Sequence, residues 1–232
     1  MNLDKVKLML LFAVDEAGGF GKGEGLPWNY PEDLKHFKDL TSDPNVAIAM
    51  GSSTWNGLPV TKEGHKLPGR SKIVFSRHSR ELHPNTYFTP RMTSTELKRL
   101  CGSMGFHTCY IIGGKSTIYH FEESVDGAIV THIPGKHDAD VRIPIKQMLD
   151  NFEAEHSSLI GDRGCRVATY RRLTWEEIDQ RNRRLQETNH VRNTGMAIDV
   201  ESTTQSPPGL WVNNIFGIAP NDPYQVVSVN SF

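Results

Sequence analysis

Cysteine is scarce and unpatterned in this chain. There are three, Cys101, Cys109 and Cys165, with no CxxC pair and no metal-ligand spacing. That excludes a disulfide-stapled scaffold and a cysteine zinc site, and it reads as a reduced, cytoplasmic protein whose thiols are small core residues. Long apolar runs are also missing. The longest, residues 8–14, is far too short to span a bilayer. Lys5 and Lys7 precede it, but no small-residue cleavage site follows, so no signal peptide is expected. Net charge is almost absent, at −1, so nothing global draws the chain to nucleic acid or to an anionic membrane. The ten histidines are dispersed, with no HExxH or Cys/His spacing, and no metal is expected. Repeats and low-complexity tracts are lacking.

What remains is ordinary globular material: 232 residues, 37% hydrophobic and 23% charged. That suffices for one α/β domain with some tens of residues left over. Residues 5–14 are nearly continuously apolar and suit a central strand covered on both faces. Residues 15–25, with Gly18, Gly19, Gly21, Gly23 and Gly25, read as a loop rather than an element. Pro31 then opens a helix with Leu34, Phe37 and Leu40 at three-to-four spacing. Strand-like runs follow at 46–50, 72–76, 108–112, 128–133 and 166–172, the last expected to close the sheet. Helices are predicted near 94–104, opened by Ser94 and Glu96, and after Gly114. The alternation implies a mostly parallel sheet with crossover helices.

After Leu173 the texture changes. Thr174-Trp175-Glu176-Glu177 has the capping-box pattern, predicting a polar helix over 174–189. Residues 174–232 contain four arginines, seven acids and no lysine. The basic residues Arg171, Arg172, Arg181, Arg183 and Arg184 are interleaved with Glu176, Glu177, Asp179 and Glu187. A solvated helix with i,i+4 pairs is expected there, rather than a phosphate-binding patch. Trp175, Ile198, Leu210, Trp211, Ile215, Phe216, Tyr224 and the run 226–229 give the extension apolar anchors unlike those of a solvated linker. The expected division is a domain at 1–173 and an extension at 174–232. The extension is expected to pack on its own subunit or on a neighbour, favouring a homo-oligomer; a flexible tail is the alternative.

Four segments carry chemistry. Asp33 lies on an amphipathic helix beside Leu34 and Phe37, five positions after Trp28. A carboxylate buried there needs a cationic or donor partner, and a ligand with an N–H fork supplies one. The alternative is an acid complementing the helix dipole. Met50-Gly51-Ser52-Ser53-Thr54-Trp55 puts glycine at a strand end and hydroxyls at a helix start, which suits a phosphate or a plain cap. Leu67-Pro68-Gly69-Arg70 and Ser76-Arg77 flank a strand, and their arginines suit a carboxylate and a phosphate unless they are solvated surface charges. Ile112-Gly113-Gly114-Lys115 joins a strand to a helix through glycines that let a ligand approach the backbone, or simply make a tight turn.

In order and spacing the four together resemble dihydrofolate reductase from about Lys5 to Leu173. The matching motifs are Ala13-Val14, Gly19-Phe20-Gly21-Lys22, Leu26-Pro27-Trp28, Asp33 with Phe37, Met50-Gly51, Thr54-Trp55, the 67–70 and 76–77 segments, Ile112-Gly113-Gly114 and Val130-Thr131-His132-Ile133. The fold this implies is α/β and dihydrofolate-reductase-like: a mostly parallel central sheet flanked by helices, with a C-terminal extension. The activity it implies is reduction of 7,8-dihydrofolate by NADPH, with hydride transfer to C6 and protonation at N5.

The resemblance also implies residue roles. Asp33 would hold the pterin, with Thr131 bonded to it. Leu26 would gate water over the nicotinamide, and Trp28 would order a water. Met9, Leu34, Phe37, Leu58 and Ile112 would wall the substrate site, and Arg70 would take the α-carboxylate of the glutamyl tail. For NADPH, Ala13 would meet the carboxamide. Gly21, Gly51, Ser53, Thr54, Gly113, Gly114, Lys115, Ser116, Thr117 and Tyr119 would seat the rest, with Ser76 and Arg77 facing the 2′-phosphate. A cis bond between Gly113 and Gly114 is implied as well. Three departures stand out: Ser52 where relatives carry a base, one extra residue before Ile118-Tyr119, and Asp140-Val141 where an Asp-Thr pair is usual. Two other readings are a same-fold reductase of another pteridine or a deaminated pyrimidine, and a structural protein retaining the fold. Pro27, Trp28 and Asp33 argue against the former.

Overall fold

The computed structural model describes residues 6–77 and 83–194. In chain order the first half comprises β1 (Lys7–Asp15), β2 (Gly19–Gly21), α1 (Pro31–Thr41), β3 (Val46–Gly51), α2 (Ser52–Gly57), β4 (Ser71–Phe75), β5 (Thr86–Thr89) and α3 (Ser94–Ser103). The second comprises β6 (Thr108–Gly113), α4 (Lys115–Phe121), β7 (Gly127–Ile133), β8 (Val141–Arg142), α5 (Ile145–Met148), β9 (Phe152–Ile160), β10 (Cys165–Arg172) and α6 (Trp175–Thr194). Eight strands form one sheet in the order β5-β4-β3-β6-β1-β7-β10-β9. The first six are mutually parallel; β10 is antiparallel to β7, and β9 is antiparallel to β10.

Strands β1 and β7 lie in the middle because their sequences can be covered on both faces. All seven residues of β7 are buried, as are Leu8, Leu10, Leu11, Phe12 and Val14 of β1. One face packs under α3 and α4 in the main core, which includes Leu10, Phe12, Ile73, Leu97, Ile111, Ile118 and Phe121. The other face carries two smaller clusters beside α1 and α2, and Tyr110 and Ile112 pack against both. All three cysteines are buried and free, as expected of small core residues.

Four expectations need correction. The glycine cluster is not all loop: Gly19–Gly21 forms β2, paired with β8 from a hundred-odd residues later. The sheet does not end at β10, because β9 adds an edge strand of mostly polar residues. Helix α3 is capped by Thr93 rather than Ser94, with the Thr93 and Glu96 side chains satisfying each other's backbone N–H groups. Helix α6 runs past 189 to Thr194. It starts where the sequence places it, with Glu177 accepting from the Thr174 N–H at 2.8 Å. The anchors Ile198, Leu210, Trp211, Ile215, Phe216, Tyr224 and 226–229 lie outside the described residues.

Candidate active site

The carboxyl ends of the parallel strands converge on one side of the sheet, where α/β folds bind ligands. There β1 brings Ala13 opposite Thr131 of β7. Helix α1 brings Asp33 to the same place. Its carboxylate is 7% exposed and hydrogen-bonded to the Thr131 side chain. Burial pushes its pKa up, the Thr131 bond opposes this, and the charge of Glu32 adds to it. Among the described residues no cation forms an ion pair with Asp33. The usual partition is inverted around it: Leu34 and Leu26 are 51% and 49% exposed. A buried acid beside outward-facing leucines suits a cleft that closes on an apolar ligand with a few polar anchors.

The other residues expected to wall the substrate site lie in two apolar clusters. Met9, Phe37 and Ile112 pack around Leu11, Ile129 and Val167. Leu58 packs on the neighbouring cluster of Met50, Trp55 and Val74, which also touches Ile112. Trp28 sets its ring edge-on to His137 at 5.5 Å, and its indole N–H is buried with no acceptor among the described residues. Arg70 donates to Thr41 Oγ1 at 2.8 Å and to the Pro68 carbonyl at 3.2 Å, with its guanidinium 5.9 Å from the Phe37 ring. It therefore stands at the C-terminal end of α1, away from Asp33 at its start.

The glycine segments come together on the other side of Ala13. The peptide between Gly113 and Gly114 is cis. A Cβ on Gly51 would lie 2.7 Å from Thr117 Oγ1, and one on Gly114 would lie 3.1 Å from Thr54 Oγ1. Strand β3, α2 and the start of α4 thus approach at a distance only glycine permits. The Thr117 hydroxyl is buried and lacks a hydrogen-bond partner in the protein. Neither α2 nor α4 has an acid in its first turn. Close-packed hydroxyls at two helix starts without acids fit a diphosphate, so the residues present suit a dinucleotide.

The remaining expected contacts are more dispersed. Ser76 is tied to the Thr89 carbonyl through its N–H at 2.9 Å, and Arg77 is exposed just beyond β4. Lys115 lies over the Tyr119 ring at 5.7 Å. Gly21 accepts from the Asp140 N–H at 3.1 Å, and Gly23 donates to the Asp140 carboxylate at 2.8 Å. The Asp140-Val141 departure therefore keeps an acid on the glycine-rich loop.

Two residues at the site escaped sequence reading. Arg91 donates to Ser116 at 3.3 Å, adding a cation near the start of α4; it follows a proline in a connecting segment, and nothing in its local pattern announces it. Phe20 packs edge-on against Phe12 at 6.0 Å and closely against Gly113. Its place inside the Gly-Phe-Gly-Lys motif was a usable signal.

A family model described as dihydrofolate reductase matches residues 7–177. The chain is 27% identical over 141 residues to dihydrofolate reductase HdrB of Haloferax volcanii, covering 60% of this chain and 71% of that protein. It is 29% identical over 145 residues to dihydrofolate reductase type 9 of Escherichia coli, covering 60% and 76%. Among solved structures, a dihydrofolate reductase from Enterococcus faecalis complexed with NADP(H) superposes with a TM-score of 0.58 at 21% identity, covering 72% of this chain and 97% of that one.

Proposed function

The chain belongs to the dihydrofolate reductase family and carries out its reaction, the NADPH-dependent reduction of dihydrofolate, and we propose that Asp33 is the residue around which that reaction is organised. The observation that carries this reading is a buried carboxylate with a hydroxyl neighbour and no ion-pair partner among the described residues. The pterin N3–H and 2-amino group offer two parallel donors that such a carboxylate accepts together. Thr131 fixes its orientation. Held there, the ring presents C6 toward the Ala13 side of the sheet. NADPH supplies the hydride. The protein contributes orientation, exclusion of water by Leu26 and its loop, and a protonation environment in which Asp33 and a water on Trp28 favour a proton at N5. The cofactor would be held by Gly51, Ser53, Thr54 and the 113–117 segment, with Lys115, Arg77 and Arg91 as the nearby cations.

A spectrophotometric assay with dihydrofolate, run with NADPH and then NADH, tests the reading, and Arg77→Ala sharpens it. Only NADPH has the 2′-phosphate. A charge-assisted contact is worth about 1.5–3 kcal/mol, so the variant should bind NADPH roughly ten- to a hundredfold more weakly and leave NADH almost unchanged. Equal losses for both cofactors would assign the phosphate to Lys115 or Arg91.

We further propose that residues 1–173 are the complete catalytic unit, and that the extension from 174 is a packing or assembly element favouring a homo-oligomer. Arg171 supports this by pairing with both Glu153 and Glu177, and Arg181 by pairing with Asp150, so the first turns of α6 are tied to the domain. The outward side keeps Trp175 83% and Leu185 55% exposed, which suits a partner surface. Truncation after Leu173 should preserve activity per site and lower the thermal midpoint or the mass in solution. Unchanged midpoint and mass would rule the packing role out. The buried free thiols support a reducing compartment such as the cytoplasm, and no described helix is long and apolar enough to cross a membrane.

A further inference from the structure

Glycine weakens a helix, so its presence in one calls for a reason, either an unusual conformation or a close approach. Gly57 ends α2 with a backbone outside the left-handed region, so conformation does not require it. Close approach does. A Cβ there would land on the Glu24 carbonyl oxygen and stand 2.9 Å from the Glu24 Cβ. Glu24 lies at the tip of a tight turn in the glycine-rich loop, where Lys22 and Gly25 exchange backbone hydrogen bonds at 3.0 Å. A Cβ on Gly23 or Gly25 would meet nothing within 4 Å among the described residues, so the two flanking glycines stand open and Glu24 makes the contact. Both supports of this contact are fixed. Asp140 accepts from the Gly23 N–H at 2.8 Å, and Lys22 pairs with Asp138. Across the contact, the end of α2 is anchored by buried Trp55 and by Lys66, which donates to the Trp55 and Asn56 carbonyls at 2.6 and 2.8 Å. A cation on the last carbonyls of a helix also suits its dipole.

We propose that Gly57 is a positioning residue for the reduction. The gap left by its missing side chain is the seat into which the glycine-rich loop docks, and Glu24 in that seat sets Leu26, two residues on, over the site. This rests on the reading of Leu26 and its loop as the cover that excludes water. The seat lies between two parts of that site on one short element. Ser53 and Thr54 open α2, and Leu58 directly follows Gly57. The loop is thereby located against the same helix that is read as holding the cofactor, so cover and cofactor share one reference.

Gly57→Ala fills the seat with one methyl group and by itself favours the helix. The seated carbonyl belongs to the Glu24-Gly25 peptide, which a glutamyl endopeptidase cuts, so cleavage there reads the seat without any substrate. In the variant that bond should be cut about tenfold faster than in the unmodified protein, with cleavage after the exposed Glu63 unchanged. Single-turnover hydride transfer should slow roughly ten- to a hundredfold, as expected of a cover displaced by about 1 Å, while the thermal midpoint holds. Asn56→Ala, one position earlier on the exposed side of α2, should move none of these. A midpoint that falls with the rate, with cleavage after Glu24 and Glu63 rising together, would make Gly57 a folding residue of α2 and overturn the proposal. So would unchanged cleavage and rate. Faster cleavage after Glu24 with an unchanged rate would separate the seat from the chemistry and overturn the positioning role. Should the unmodified protein reduce no dihydrofolate, the reductase reading fails, while cleavage after Glu24 still decides whether the loop docks on Gly57.

Discussion

Asp33→Asn should reduce dihydrofolate orders of magnitude more slowly than the parent at neutral pH and yet unfold at a higher temperature. The loss arises because an amide accepts through one oxygen and presents an N–H₂ where the pterin also presents donors. It also removes the negative charge that favours a proton at N5. Part of the rate should return in acid, where substrate arrives already protonated. The gain in stability follows from the same burial. The folded-state pKa of Asp33 is raised, by burial first, with the Thr131 bond opposing and Glu32 adding. The folded protein therefore holds this proton more tightly than the unfolded chain. What the carboxyl contributes is fully present below its ordinary value and is lost as pH rises through the raised folded value. At neutral pH the substrate-free protein holds a buried charge that asparagine lacks. The midpoint gap between variant and parent should be widest near neutrality and shrink on acidification. Single-turnover hydride transfer and thermal melts over one pH series test both halves. Near-normal turnover at neutral pH would remove Asp33 from the centre of the reaction.

That trade also explains why Asp33 was only half legible from sequence. Its position in the first turn of a helix supports an electrostatic cap as readily as a binding group, and the resemblance, not the spacing, favoured the latter. Burial supports the binding reading, because an acid that merely complements a helix dipole has no reason to leave water. The central strands were legible for the opposite reason. Strands β1 and β7 are covered on both faces, so their apolar runs are nearly unbroken. Strand β9 was not, since it pairs only with β10 at the sheet edge and Glu153, Glu155, His156, Ser157 and Ser158 interrupt any alternation. Strands β2 and β8 form by pairing across more than a hundred residues, and no local pattern can announce that. Arg77 and Lys115 could be placed at strand and helix ends by motif. Arg91 reaches Ser116 from a segment outside any motif, so only the fold reveals it.

The second large effect should come from a residue outside the pterin pocket. Asp15 ends β1 and reads in sequence as a strand boundary, yet it is fully buried. Its carboxylate accepts from the N–H groups of Ala17 at 2.9 Å, Gly19 at 2.6 Å and His137 at 2.7 Å. Gly19 belongs to β2, and His137 lies between β7 and β8. One side chain therefore ties the glycine-rich loop to the segment it pairs with. A Cβ on Gly19 would come within 2.6 Å of that carboxylate, so the contact itself requires glycine. Asp15→Ala leaves three backbone donors short of their acceptor. Each such loss costs about 1–3 kcal/mol, and after local rearrangement we expect a total of roughly 2–5 kcal/mol. At about 2–4 °C per kcal/mol for a protein of this size, the midpoint should fall by roughly 5–15 °C. Turnover should fall too, because the loop that carries Leu26 loses its fixed start. Asp15→Asn keeps one acceptor oxygen and should fall between. The pH dependence runs opposite to that of Asp33. Burial alone would raise the Asp15 pKa, but the N–H bonds from His137, Gly19 and Ala17, with the charge of Arg142, outweigh it and the net shift is downward. Its stabilisation is therefore fully present above the ordinary carboxylate value and is lost as pH falls through the depressed folded value. The gap between the parent and Asp15→Ala should stay level from neutrality down to the ordinary carboxylate range and close only below it. Melts of both aspartate variants in one buffer series make the comparison direct. A gap for Asp15→Ala that already shrinks near neutrality, or a variant with unchanged midpoint and turnover, would show that the loop is held by other contacts.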